Sequence, residues 1–105
     1  MGDRVLRLGA VELCNEIIDN RYKVAETIDF LGSNRVFGVI ARMKNLEPHK
    51  NDPETKGKSR QLANAYEHAI GQLYYEDKLK ALATAKADLA HFYENQDQYF
   101  VKKPD

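Results

Sequence analysis

The chain has little cysteine, little proline and no long apolar run. The one cysteine among its 105 residues, Cys14, cannot form an internal disulfide, which excludes a disulfide-stabilised scaffold and favours a reducing compartment. The longest apolar run, residues 36–41, is interrupted by Gly38 and is far shorter than the roughly 20 residues that cross a bilayer. The first residues also lack the apolar segment of a signal peptide. We therefore expect a cytoplasmic protein with no membrane contact.

Proline is absent from the stretch Ser59 to Phe100, which also holds only one glycine, Gly71. Alanine, leucine, glutamine, glutamate and lysine dominate this stretch, and these residues lose little side-chain freedom in a helix. The composition predicts an all-α protein, and the length predicts a single domain.

The apolar residues of this stretch fall on two helical stripes that lie roughly opposite each other. Two interpretations follow: the chain reverses near Glu76 with Asp77 as the N-cap of a new helix, or one long helix packs on different partners. Residues 72–78 contain no Gly, Pro, Asn or Ser, so we favour the continuous helix slightly. A helix of this length spans roughly 60 Å, more than a domain of this size covers, which predicts a partner chain. The two stripes are Leu62, Tyr66, Ala69 and Leu73, and Tyr75, Leu79, Leu82, Leu89, Tyr93 and Phe100.

We predict three helices, over residues 4–31, 34–46 and 53–100, the last with an alternative break near residue 76. Asp3 is the expected first N-cap, and Gly32 followed by Ser33 or Asn34 predicts a stop and a restart. Asn20, in the middle of the first helix, is either a polar core residue that fixes register or an edge residue, and we favour the edge. Short connections favour an antiparallel helical bundle, and the long C-terminal helix favours an oligomer.

Charge is balanced over the chain, with 16 basic and 16 acidic residues, but residues 35–60 hold seven bases against three acids. Such a segment could bind an anion, either nucleic acid or a nucleotide. We favour an ordinary solvated segment. The candidate anion-binding residues are Arg42, Lys44, Lys50, Lys56, Lys58 and Arg60.

Acidic residues on the first predicted helix raise a third interpretation, a metal-dependent hydrolase of nucleotides. Their face points away from the apolar arc, so we interpret it as the water-facing side. Asp88, His91 and Glu94 have no second acid–histidine pair to complete a metal site. We therefore predict no catalytic residue, no metal and no cofactor. The acids of the first helix are Glu12, Glu16, Asp19 and Glu26.

Aromatic residues concentrate in the long stretch, which holds seven of the ten. Tyr74 and Tyr75 point about 100° apart, so both cannot face one core. A tyrosine outside the core suits an interface, because it buries a large ring while its hydroxyl stays wet. We therefore expect a small non-enzymatic protein-interaction or regulatory protein, such as an inhibitor of a macromolecular partner, that acts as a homodimer or higher oligomer. The predicted interface comprises Tyr66, Tyr74, Tyr75, Leu79, Leu82, Tyr93 and Phe100.

Overall fold

The computed structural model describes residues 2–46 and 58–96, with side chains from Arg60 onward in the second segment. No strand occurs in these residues, so the all-α class is confirmed. No described helix is both long enough and apolar enough to span a bilayer. The helices are α1 (Gly2–Ile17), α2 (Arg21–Leu31), α3 (Asn34–Met43), α4 (Lys58–Glu76) and α5 (Lys78–Glu94).

The predicted helix over residues 4–31 is wrong, because residues 18–20 separate α1 from α2. Asn20 is neither a core residue nor an edge position of a continuous helix. Its backbone is extended, and its Oδ1 accepts a hydrogen bond from the Tyr22 N–H at 2.9 Å, so it caps α2. Asparagine favours such a bond because its short side chain competes with the helical backbone pattern. Ile17, the last residue of α1, is 46% exposed.

The turn between α2 and α3 agrees with prediction. Gly32 is the C-cap of α2, and its N–H donates to the Ile28 carbonyl at 3.0 Å. Ser33 is the N-cap of α3, with its hydroxyl accepting from the Val36 N–H at 3.4 Å. Each cap satisfies a backbone group that the helix end leaves without an internal partner.

The end of α3 falls at Met43, three residues before the predicted end. Asn45 has a φ of 56°, in the left-handed region that asparagine tolerates better than most residues. The Leu46 N–H then donates to the Ala41 carbonyl and the Asn45 N–H to the Arg42 carbonyl, at 2.9 and 3.0 Å. These two bonds form a Schellman motif, which stops the helix without glycine.

The predicted continuous helix over residues 53–100 is also wrong, and the alternative break is confirmed at Asp77. Asp77 has an extended backbone, and its Oδ1 accepts from the Lys80 N–H at 3.0 Å, which makes it the N-cap of α5. Its own N–H still donates to the Leu73 carbonyl at 2.7 Å, so one residue both closes α4 and opens α5. The described part of the last helix ends at Glu94, with Asn95 as C-cap; residues 53–57 and Phe100 lie outside the described residues.

The break at Asp77 folds α5 back along α4. Tyr66 and Asp88, each eleven residues from Asp77, meet side chain to side chain. As a result Leu62 and Leu89, which lie on opposite stripes of the sequence, belong to the same core. The chain therefore has no single helix over residues 53–100. The length of that helix was the argument for a partner chain, and this argument no longer applies.

The core draws on all five helices. α1 packs against both α4 and α5, and α3 lies along α4. The fully buried side chains include small ones on α5, Ala81 and Ala85, which let the helices approach closely. The largest buried side chains are Tyr66, Phe92, Leu6, Leu31, Ile40, Leu89, Val36 and Cys14.

A close contact between α1 and α4 joins two glycines. The first turn of α1 lies against α4, where the Gly2 backbone meets Gly71 and the Glu67 carbonyl. A Cβ atom on Gly2 would overlap the Glu67 carbonyl oxygen, whereas a Cβ on Gly71 would lie 3.2 Å from the Gly2 nitrogen. Position 2 therefore has no room for a side chain, whereas at position 71 a methyl group would need only a small shift of its neighbour.

We expect Gly2→Ala to push α1 away from α4 and to cost about 1–3 kcal/mol of unfolding free energy, as overpacking does. Gly71→Ala is the matched control, because its Cβ needs only a few tenths of an ångström. Urea unfolding followed by circular dichroism measures both. A loss for Gly2→Ala no larger than that for Gly71→Ala would contradict the described contact.

Asp88 joins three helices through polar contacts. The buried Tyr66 hydroxyl donates to Asp88 Oδ2 at 2.7 Å, and Lys44, the C-cap of α3, places its ammonium 3.1 Å from the same oxygen. The Asp88 side chain is only 17% exposed, so its charge needs both partners. Burial, reinforced by the hydrogen bond and the charge of Asp88, raises the pKa of Tyr66 well above its usual value.

Removing the Tyr66 hydroxyl leaves Asp88 with Lys44 alone. We expect Tyr66→Phe to lower the unfolding free energy by about 1.5–3 kcal/mol, the usual range for a hydrogen bond to a charged group. Tyr22→Phe is the control, because Tyr22 is 85% exposed. If both variants unfold at the same urea concentration as the parent protein, the bond contributes nothing to stability.

Candidate interaction surface

The turn between α4 and α5 presents large apolar side chains to solvent. We call residues 75–80 the hairpin tip; all six are exposed. Tyr75 is 78% exposed and Leu79 is 80% exposed. Both belong to the predicted interface, and they lie one residue before and one residue after the turn Glu76–Lys78.

Tyr74 anchors the hairpin tip. It packs against the core, and its ring meets the Tyr75 ring edge-on, with centroids 6.1 Å apart and an interplanar angle of 75°. The Lys78 ammonium lies 5.6 Å from the centroid of the Tyr74 ring, within the range of a cation–π contact. One tyrosine of the pair therefore holds the tip in place while the other points outward.

The remaining predicted interface residues are placed differently. Tyr66 is 1% exposed and cannot reach a partner in this fold, because its ring fills the core against Phe37. Leu82 and Tyr93 are half-buried on α5. Phe100 lies outside the described residues. Of the predicted set, Tyr75 and Leu79 are the two fully exposed members that the structure describes.

The charges of the hairpin tip oppose the helix dipoles beside them. Glu76 is the last residue of α4, and Lys78 and Lys80 lie in the first turn of α5. A carboxylate is disfavoured at a helix C-terminus and an ammonium at an N-terminus, each by about 0.3–1 kcal/mol at exposed sites. Only Asp77, as N-cap, agrees with the dipole.

No protein-family model, no curated protein and no solved structure matches this chain. The function therefore has to be inferred from the geometry of its own surface.

The predicted anion-binding set is divided by the structure. Arg42 and Arg60 are exposed, whereas the Lys44 ammonium already pairs with Asp88. The side chain of Lys58 and all of Lys50 and Lys56 lie outside the description. Of the candidates that the structure describes, the two arginines are exposed to solvent and the lysine is paired with Asp88.

The acids considered for a metal are also dispersed. Glu16 pairs with Lys86 on α5, and the break at residues 18–20 separates it from Glu26 on α2. Asp88 accepts a hydrogen bond from Tyr66 and forms an ion pair with Lys44. Within residues 2–46 and 58–96, no group of three or more His, Cys, Asp or Glu residues could hold a metal ion.

Cys14 lies in the core and is fully buried. Burial raises the pKa of its thiol, which disfavours the reactive thiolate. Its position fits a structural role in the core.

A polar cleft of about 250 Å³ lies where the first four helices converge, and sequence analysis does not predict it. Its residues come from four separate helices, so no spacing along the chain could reveal it. Glu67 in this cleft is half-buried, and burial, with the nearby charge of Asp3, raises the pKa of its carboxyl group. The cleft is lined by Asp3, Arg7, Ile28, Asp29, Gly32, Phe37 and Glu67.

The raised pKa of Glu67 makes stability depend on pH. The folded state holds the proton more tightly than the unfolded chain, so this group favours folding below its unfolded pKa, and that contribution is lost as pH rises through the folded pKa. We expect Glu67→Gln to melt above the parent protein at pH 7 and to lose that advantage by about pH 4. Thermal melts at both pH values test this, with Glu26→Gln, an exposed glutamate, as control. An equal advantage at both pH values would contradict the assignment.

Proposed function

We propose that this protein is a small non-enzymatic protein-interaction module that acts as a homo-oligomer and regulates a macromolecular partner by occupying part of its surface. The hairpin tip is its contact surface. The observation that carries this proposal is the joint exposure of Tyr75 and Leu79, at 78% and 80%, on a tip whose backbone is fixed by Asp77 and whose neighbour Tyr74 is anchored in the core.

Tyr75 and Leu79 are separated by only the three residues of the turn. A single exposed leucine is ordinary on a protein surface, but a leucine and an aromatic residue exposed on one turn resemble the anchors of protein interfaces. Burying each of them in a partner's pocket contributes about 1.5–3 kcal/mol. The Asp77 cap and the contact of the Tyr75 ring with Tyr74 reduce the freedom that binding would have to remove.

The two alternatives receive less support from the described residues. An anion site at residues 35–60 would have to use Arg42 and Arg60 without a free Lys44, whose ammonium lies 3.1 Å from Asp88. A metal-dependent hydrolase needs clustered metal ligands, and the described residues contain no group of three or more His, Cys, Asp or Glu that could hold a metal ion. Apolar contact at the tip is therefore the better supported mode of action.

The contact surface can be tested by photocrosslinking in the native cell. We expect benzoylphenylalanine in place of Leu79 to yield a discrete covalent adduct with a protein partner. The same group in place of Tyr22 is the matched control, because Tyr22 is equally exposed but lies on α2. An unlabelled parent protein should suppress the adduct, and unlabelled Leu79→Ser should not.

Two results would contradict the proposal: no adduct from position 79, or the same adducts from positions 79 and 22. Leu79→Ser is expected to melt within about 1 kcal/mol of the parent protein, because exposed substitutions have small effects. A normal melt for this variant shows that failure to compete reflects a lost contact and not a lost fold.

A further inference from the structure

We propose that the occupant of the hairpin tip is the hairpin tip of a second copy of this chain, in a two-fold symmetric contact. This inference rests on the proposed function and names the partner of the same surface. Its basis is the charge pattern of residues 76–80 together with the exposure of Tyr75 and Leu79.

Two charges at the tip, those of Glu76 and Lys80, are not arranged to stabilise the helices that carry them. Glu76 at the end of α4 and Lys80 in the first turn of α5 each oppose the local helix dipole. Neither side chain forms an ion pair with another of the residues that the structure describes. The arrangement therefore has a cost in the isolated fold and no internal gain, which indicates that these charges serve a contact outside the chain.

The same pattern is complementary to itself. The tip carries two acids, Glu76 and Asp77, followed by two bases, Lys78 and Lys80. In a two-fold contact, any pairing between two different residues occurs twice, once in each direction. Opposed tips therefore place Glu76 of each copy near Lys80 of the other, forming two equivalent ion pairs. A partner of one predominant charge would leave half of these groups opposed to a like charge.

The apolar residues fit the same arrangement. Tyr75 precedes the two acids and Leu79 lies between the two bases. In the proposed two-fold contact Tyr75 of one copy packs against Leu79 of the other. Such a contact covers less than the roughly 800 Å² per partner of a standard interface. The dimer should accordingly be weak, with a dissociation constant on the order of 100 μM, and weaker still in high salt.

Sedimentation velocity of the full chain, from about 10 μM to about 1 mM at low salt, tests the contact. We expect a concentration-dependent dimer in the parent protein. Glu76→Lys and Lys80→Glu, each alone, should weaken dimerisation at least about tenfold, because each replaces two attractive pairs by two repulsive ones. The double variant Glu76→Lys with Lys80→Glu should restore it to within about threefold of the parent.

Unfolding cannot account for these effects, because both substitutions bring the charges into agreement with the helix dipoles. Thermal melts of the three variants at or above that of the parent protein verify this point. Tyr22→Ser is the control for an exposed tyrosine elsewhere and should leave dimerisation unchanged.

The inference is overturned by a strict monomer at the highest concentration, by a dimer indifferent to the single charge reversals, or by a double variant no better than the singles. The photocrosslink at position 79 shows whether the self-contact alone is wrong or whether the hairpin tip is not a contact surface at all. A monomeric chain that still crosslinks to a different protein at position 79 retains the hairpin tip as a contact surface for that protein, and rejects both the self-contact and the homo-oligomer. Absence of both the dimer and the adduct rejects both.

Discussion

The hydrogen bond from the Lys80 N–H to the Asp77 carboxylate is the constraint on which the arrangement of the second half depends. α4 ends at Glu76 and α5 begins at Lys78, so the chain reverses at Asp77. The reversal brings apolar residues from the two opposite helical stripes of the sequence into one core. The pairing of Tyr66 with Asp88 and the close approach of α1 to both helices follow from that reversal. The reversal also exposes the hairpin tip, because the residues of so short a turn lie at the end of the helical pair and not between the helices.

The fold class and one turn could be predicted because their signals are local. Helix-forming composition and the caps Gly32 and Ser33 act within a few residues, so sequence alone identifies them. The breaks at Asn20 and Asp77 were harder to predict, because neither has a neighbouring glycine or proline. Each depends on one side-chain oxygen outcompeting a helical carbonyl for a backbone N–H, and tertiary packing decides that competition.

The candidate surface was predictable in part for the same reason. The angle between Tyr74 and Tyr75 requires that they differ in burial, but only the reversal shows that Tyr75 is the outer one. Tyr66 looked equivalent in sequence, yet its ring lies in the core and its hydroxyl donates to the half-buried carboxylate of Asp88. The cleft around Glu67 had no sequence signal, since convergence of four helices is a property of the tertiary structure.

The glycine contact between α1 and α4 has a consequence for synthesis of the protein. Gly2 precedes the surface against which it packs, around Gly71, by about seventy residues along the chain. The face of α1 that packs on α4 therefore stays uncovered during synthesis until α4 has been made. Until then a partly made chain exposes apolar surface that favours aggregation and that the core of the folded protein covers.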